Sequence, residues 1–207
     1  MTTVYISRHS IPFKEHRGIE YINEDNLTWN KMAPLSVTGE KKAEKLSELE
    51  YLKNIDIVWS SEYVRAMSTA KYVANKNNIK VNIDKRLGER IHGDLTKTID
   101  FVGYEYKQLT DINYKLNNGE NQEEVRNRML ESLYEIINDN KDKNIFICSH
   151  STAITFLLMN WCKLDLEKKE LLFKNRTIFD MNWDTPELFK LVFDNNDLIS
   201  IENIELE

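Results

Sequence analysis

The 207-residue chain predicts an α/β fold: a three-layer sandwich with a mainly parallel sheet, helices on both faces and antiparallel edge strands at the C-terminus. Three observations predict it. Short runs of β-formers alternate with segments whose apolar residues recur at helical spacing, the pattern of parallel strands joined by helical crossovers. One helical segment, about Thr152 to Trp161, is apolar all round, as a helix buried against a sheet must be. The last part of the chain reads instead as consecutive β segments broken by turn residues, which pair antiparallel.

Taken in order, Val4 Tyr5 Ile6 Ser7 is the first strand, and it ends in Arg8 His9 Ser10. Ile11 to Pro34 is a long polar loop carrying Phe13, Lys14, His16, Arg17, Tyr21 and Trp29; loops of this length are functional or disordered. The first helix starts within Pro34 to Glu40, with Thr38 as its cap and Ala43, Leu46, Leu49 and Leu52 turned to the sheet. Asp56 to Trp59 is a second strand. A second helix begins at Ser60 Ser61 Glu62, with Tyr63, Ala66, Met67, Ala70, Val73 and Ala74 at helical spacing and Arg65 in its first turn. Lys80 to Ile83 is a third strand leading into Arg86 Leu87 Gly88 Glu89 Arg90, and the stretch from Ile91 to Asn118, rich in aromatic residues, has no single assignment. Asn121 to Asn140 is an amphipathic helix with Val125, Met129, Leu133, Ile136 and Ile137 on one stripe and acids at its start, which suits the helix dipole. It feeds the strand Asn144 to Ser149 and then His150 Ser151. Thr177 to Trp183, Leu188 to Phe193 and Leu198 to Ile204 are the closing β segments, separated by Asp184 Thr185 Pro186 and Asn195 Asn196.

Composition narrows the function. A hydrophobic content of 41% over this length supplies one sizeable core, so residues 1–207 read as a single domain needing no disulfide or metal staple. Only 6 Gly and 3 Pro and no low-complexity tract leave a second domain without a linker. A net charge of -6 argues against nucleic-acid or membrane-surface partners, which call for a basic face, so an anionic ligand must be held by a local cluster. Cys148 and Cys162 read as small buried hydrophobes in a reducing compartment. The N-terminus carries no signal segment, and the longest apolar run, Ala153 to Trp161, is too short to span a bilayer; a cytoplasmic protein is the expectation. No feature of the sequence assigns an oligomeric state.

Chemistry enters through where the ionisable residues fall. Arg8 and His9 follow the first strand, Arg65 the second, Glu89 the third and His150 the fourth. Ligands of an open α/β sheet bind at the carboxyl ends of its strands, so these residues can surround one crevice. A phosphate there would meet two fork-shaped guanidiniums, two imidazoles and the backbone N–H groups opening the helix of Arg65, with Glu89 as the acid. Other chemistries lack their parts. Ser149 His150 Ser151 Thr152 Ala153 misses both glycines of a nucleophile elbow and has no downstream histidine for the triad. There is no Walker loop, paired-cysteine motif or His-Glu-x-x-His site, so no metal and no cofactor are expected.

The chain resembles the histidine phosphatase superfamily, which includes the cofactor-dependent phosphoglycerate mutases. Carrying the resemblance are Arg8 His9 Ser10, Leu35 Ser36 Val37 Thr38 Gly39 Glu40, Ser60 Ser61 Glu62 Tyr63 Val64 Arg65 Ala66, Leu87 Gly88 Glu89 Arg90, Gly119 Glu120 Asn121 and Ser149 His150 Ser151, in the family's order. Ser10 and Ser151 stand where the family has glycine; serine keeps a hydrogen-bond donor there without glycine's close backbone approach. The resemblance implies that His9 is the nucleophile and becomes phosphohistidine, its other nitrogen oriented by a backbone carbonyl. It implies that Arg8, Arg65, His150 and Ser10 bind the phosphate and that Glu89 protonates the leaving group; Glu15, Glu20 and Asp94 are the alternative carboxyls for the acid's work. His16, Arg17 and Arg90 are the candidates for substrate specificity, and about 91–118 is the substrate-covering insertion. The expected activity is hydrolysis of a small phosphorylated metabolite. A phosphoglycerate-type mutase is the second reading, disfavoured because the arginine- and proline-rich segment of the mutases has no counterpart between Ile91 and Asn118; a non-catalytic phospholigand-binding module is the third.

Overall fold

The computed structural model of the chain describes residues 1–13, 30–95 and 99–206. Its main sheet has six strands in the order β3-β2-β4-β1-β8-β9, where β1 is Thr2–Arg8, β2 Ile57–Ser60, β3 Val81–Ile83, β4 Asn144–Ser149, β8 Glu187–Asp194 and β9 Asp197–Ile204. The first four run parallel; β8 adds antiparallel to the free side of β1, and β9 antiparallel to β8. The α/β class with antiparallel C-terminal edge strands is thus what the chain adopts.

Alternation along each strand divides the core into two. Val4, Ile6, Ile145 and Ile147 face helices α4 (Gln122–Asp139) and α5 (Ser151–Leu158); Tyr5, Val58, Phe146 and Cys148 face α1 (Val37–Ser47) and α2 (Val64–Lys76). β4 is buried on both faces, which is why Ile145 to Cys148 is continuously apolar. Each such side chain removed from water contributes about 1.5–3 kcal/mol.

Local hydrogen bonds move several boundaries from those expected. The cap of α1 is Ser36, not Thr38: Pro12 bridges Leu35, Ser36 N donates to Ile11 O at 3.0 Å, and the extended Ser36 accepts from Gly39 N through its hydroxyl at 3.0 Å. The same helix stops at Ser47, so Leu52 reaches the core from a 3₁₀ turn over Glu50–Leu52. Helix α2 starts at Val64 rather than at the two serines, because Ser61 N donates to Cys148 O at 3.1 Å and so prolongs the strand pairing. Thr177 to Trp183 does not join the main sheet. β7 (Arg176–Phe179) pairs instead with β6 (Glu170–Phe173), which pairs with β5 (Lys163–Asp165), in a separate three-stranded sheet that packs Leu171 and Phe179 on the α5 side. Within 91–118 a helix, α3, spans Phe101–Thr110.

Candidate active site

The sheet's connections place the site. From β1 the chain passes α1 and crosses β4 to β2; from β4 it passes α5 and crosses β1 to β8. Neighbouring strands whose connections leave in opposite directions open a crevice at their carboxyl ends. Arg8 lies opposite Ser149 in the ladder, so His9 and His150 leave the sheet side by side, their ring centroids 5.1 Å apart.

The position of His9 is set by backbone first. Its N–H donates to Ser149 O at 3.0 Å, and the next residue is clamped, with Ser10 N donating to Thr69 Oγ1 at 2.9 Å and Ser10 Oγ donating to Gly39 O at 2.7 Å. That crossing is tight enough that a Cβ on Gly39 would lie 2.1 Å from Ile11 O. His9 Nδ1 sits 2.7 Å from Ser10 O, an acceptor, so Nδ1 carries the proton and Nε2 a lone pair; Arg65 Nε donates to that lone pair at 2.9 Å.

Arg65, in the first turn of α2 and 5% exposed, sends its three nitrogens to three acceptors: His9 Nε2, His150 Nδ1 at 3.2 Å, and the Asn30 carbonyl. Because a guanidinium only donates, His150 Nδ1 is the acceptor, and Nε2–H donates to Ser61 Oγ at 2.8 Å. His150 is fully buried, and burial first, then the positive field of the surrounding arginines, holds it well below the usual imidazole range. It is therefore neutral at pH 7.

Arg8 is half-buried and donates through Nη1 to the carbonyls of Trp183 (3.2 Å) and Asp184 (3.1 Å), while its buried Nε has no partner among the described residues. Burial lowers its pKa, and Glu89 is the leading opposing charge on both Arg8 and Arg65. Glu89 is thus electrically part of the cluster. Its Oε1 accepts from Ala153 N at 3.0 Å and from Arg90 N at 2.9 Å, and its Oε2 from Thr152 N at 3.4 Å, so it meets the unsatisfied N–H groups that open α5.

Arg90 is 3% exposed, donates to Gln108 Oε1 at 2.6 Å, pairs loosely with Glu105 at 3.5 Å and lies over the Tyr104 ring. It lines a cavity of about 290 Å³ together with Thr152, Phe156, Met181 and Trp183. The structure so brings together Arg8, His9, Arg65, Glu89 and His150, and sets Arg90 beside them. Ser10 meets His9 through its carbonyl, its hydroxyl being committed to Gly39. His16 and Arg17 lie outside the described residues. Among the described residues, no group of three or more His, Cys, Asp or Glu could hold a metal ion, and no helix is long and apolar enough to cross a membrane.

Sequence reasoning missed Arg128. Its guanidinium donates to the carbonyls of Arg86 (2.6 Å), Gly88 (2.9 Å) and Glu89 (3.2 Å) and is neutralised by Glu120, and so it fixes the loop that carries Glu89. A signal existed: Arg128 falls among Val125, Met129 and Ser132 on the buried stripe of α4, and a charge there must be paired. Ser61 and Thr69, partners of His150 and Ser10, had no role assigned by the sequence, although each lies four residues from Arg65.

Among curated proteins none matches the chain. Solved structures do. A phosphoserine phosphatase mutant from Entamoeba histolytica in complex with phosphoserine superposes with a TM-score of 0.67 at 17% identity, over 98% of this chain and 97% of that one. The mycobacterial glucosyl-3-phosphoglycerate phosphatase complexed with VO3 gives 0.67 at 18% identity, over 99% and 98%. At such identity these establish the shared fold. The family model described as histidine phosphatase superfamily (branch 1) matches residues 6–195, from inside β1 to the turn after β8. With that match running through every strand end that carries a site residue, the chain belongs to the histidine phosphatase superfamily, branch 1.

Proposed function

We propose that this protein is a metal-independent phosphatase that hydrolyses a small phosphomonoester through a phosphohistidine on His9. The observation that carries the reading is the state of His9. Its Nδ1–H is held by Ser10 O, and its Nε2 lone pair faces the guanidinium of Arg65 in a buried cluster of positive and neutral donors. That is an imidazole readied to attack an anion's phosphorus.

In the reaction, phosphate oxygens replace the nitrogen acceptors now held by Arg65. His9 Nε2 forms the N–P bond as the P–O bond to the alcohol breaks, and Glu89 delivers its proton to the departing oxygen. Arg8, Arg65 and His150 take up the charge on the equatorial oxygens. Glu89 then accepts a proton from the water that attacks the phosphohistidine, which restores His9 and frees inorganic phosphate. The cavity beside Arg90 takes the alcohol portion of a phosphorylated metabolite, and segment 91–118, whose helix α3 supplies Glu105 and Leu109 to that cavity, is the insertion that covers it within a single domain of 1–207.

Two structural neighbours are named as phosphatases of phosphorylated small molecules, which supports a similar substrate class. The test is a panel of sugar phosphates, nucleotides and phosphoglycerates, with and without a bisphosphoglycerate primer and with and without chelator. Wild type is expected to release phosphate without primer and undiminished by chelator. His9→Ala is expected to stay folded, lose turnover and fail to trap acid-labile labelled phosphate. Primer-dependent isomerisation would point to a mutase, and phosphate binding without turnover of any ester would overturn the enzyme reading.

A further inference from the structure

Tyr63 has no role in the chemistry above, yet it touches the groups that carry it. It caps α2 in an extended conformation and is 2% exposed. The Arg65 guanidinium lies over its ring, 4.8 Å from the centroid, and the His150 imidazole meets the ring edge-on at 4.5 Å with the planes 63° apart. On a further side comes the backbone that leads into Glu89: a Cβ added to Gly88 would lie 3.1 Å from Tyr63 Cε2, so glycine there admits the ring. One aromatic ring is therefore wedged between the cation, the second imidazole and the acid's loop.

The hydrogen bonds of Arg65 run from Nε, Nη1 and Nη2 in the plane of the guanidinium and leave its faces to packing. The Tyr63 ring covers one of those faces. It adds cation–π attraction to contact and so stiffens the orientation the hydrogen bonds set, where an aliphatic side chain of similar volume gives packing alone. His150, whose two nitrogens are occupied by Ser61 and Arg65, is packed by the same ring at its edge.

We propose that Tyr63 is a positioning residue: its ring sets the guanidinium of Arg65 and the imidazole of His150 at one fixed relative orientation so that both meet the same phosphoryl group. The inference rests on the phosphatase reading for the role of those two groups. Its test needs no turnover, so the two can fail separately. Binding of vanadate and of inorganic phosphate to the full chain is measured by titration calorimetry for wild type, Tyr63→Leu, Tyr63→Met and Tyr63→Phe, with thermal melts to score folding. Loss of the ring in the Leu and Met variants is expected to weaken vanadate binding about tenfold, and the Phe variant, which keeps the ring, to restore it to within about twofold of wild type. Methionine fills the ring's space with a flexible chain, so it keeps the test open if leucine does not fold. A folded Leu or Met variant that binds vanadate as tightly as wild type, or a Phe variant as weak as Leu, overturns the proposal; absence of ester turnover in wild type leaves this outcome unaffected and counts against the phosphatase reading alone.

Discussion

Arg65→Lys is the perturbation that asks most of the site. The arginine makes three directed bonds, to His9 Nε2, His150 Nδ1 and the Asn30 carbonyl. Lysine offers one nitrogen, a point charge where the guanidinium is a planar fork, so it can serve one of the two imidazole directions and leaves the other without a donor. Loss of one pre-organised donor from a water-excluded, charge-developing site costs about 10²- to 10³-fold in rate, or about 2.7–4 kcal/mol. The charge is retained, so substrate attraction at long range changes little, and the loss should fall on kcat more than on KM. The assay is steady-state hydrolysis of p-nitrophenyl phosphate beside a thermal melt. A well-folded Lys variant within about tenfold of wild type would refute the reasoning, because it would mean that the fork geometry does not matter and that any cation in the crevice suffices.

Further expectations concern the acid and the buried imidazoles. Glu89→Gln keeps an oxygen that can accept from the Ala153 and Arg90 N–H groups but cannot carry a proton, so kcat/KM, which reports the phosphoryl transfer to His9 without the later hydrolysis step, should fall about 10²- to 10⁴-fold for alkyl phosphates and far less for p-nitrophenyl phosphate, whose leaving group needs no proton. An equal loss on both substrates would show that Glu89 holds the loop and α5 together without acting as the acid. His92, lowered to about 4 by burial and then by Arg90, and His150, also lowered, both have folded pKa values below the ordinary 6.5. The folded state binds fewer protons than the unfolded chain below that value, so stability is fully present above about pH 6.5 and is lost as pH falls toward 4, by up to about 1.4 kcal/mol per pH unit for each histidine. Urea midpoints between pH 7.5 and 4.5 should show His92→Gln with a shallower decline than wild type; identical slopes would discount His92 as a contributor.

How much of this was legible depends on the range of the interaction. Strands β1, β2 and β4 and helix α4 were readable because apolar period and terminal residues are local properties of contiguous sequence. The grouping of Arg8, His9, Arg65, Glu89 and His150 was readable because in a parallel sheet strand ends share an edge, so the topology alone brings them to it. Helix starts were displaced by partners far along the chain, such as Ile11 for Ser36 and Cys148 for Ser61. Thr177 to Trp183 carries the same alternation in either sheet, and only the packing of Leu171 and Phe179 on the α5 side decides which one it joins.

What the sequence by itself determined is the class of fold, the family and the set of ionisable residues brought to the strand ends, since these follow from patterns a chain carries wherever it folds. The tertiary structure alone decided the tautomer of His9, the neutrality of His150, the hold of Arg128 on the loop of Glu89 and the wedge of Tyr63 beside Gly88. Each of these is a matter of distance and burial between residues remote in sequence, and hydrogen-bond direction and desolvation exist only once those residues have met.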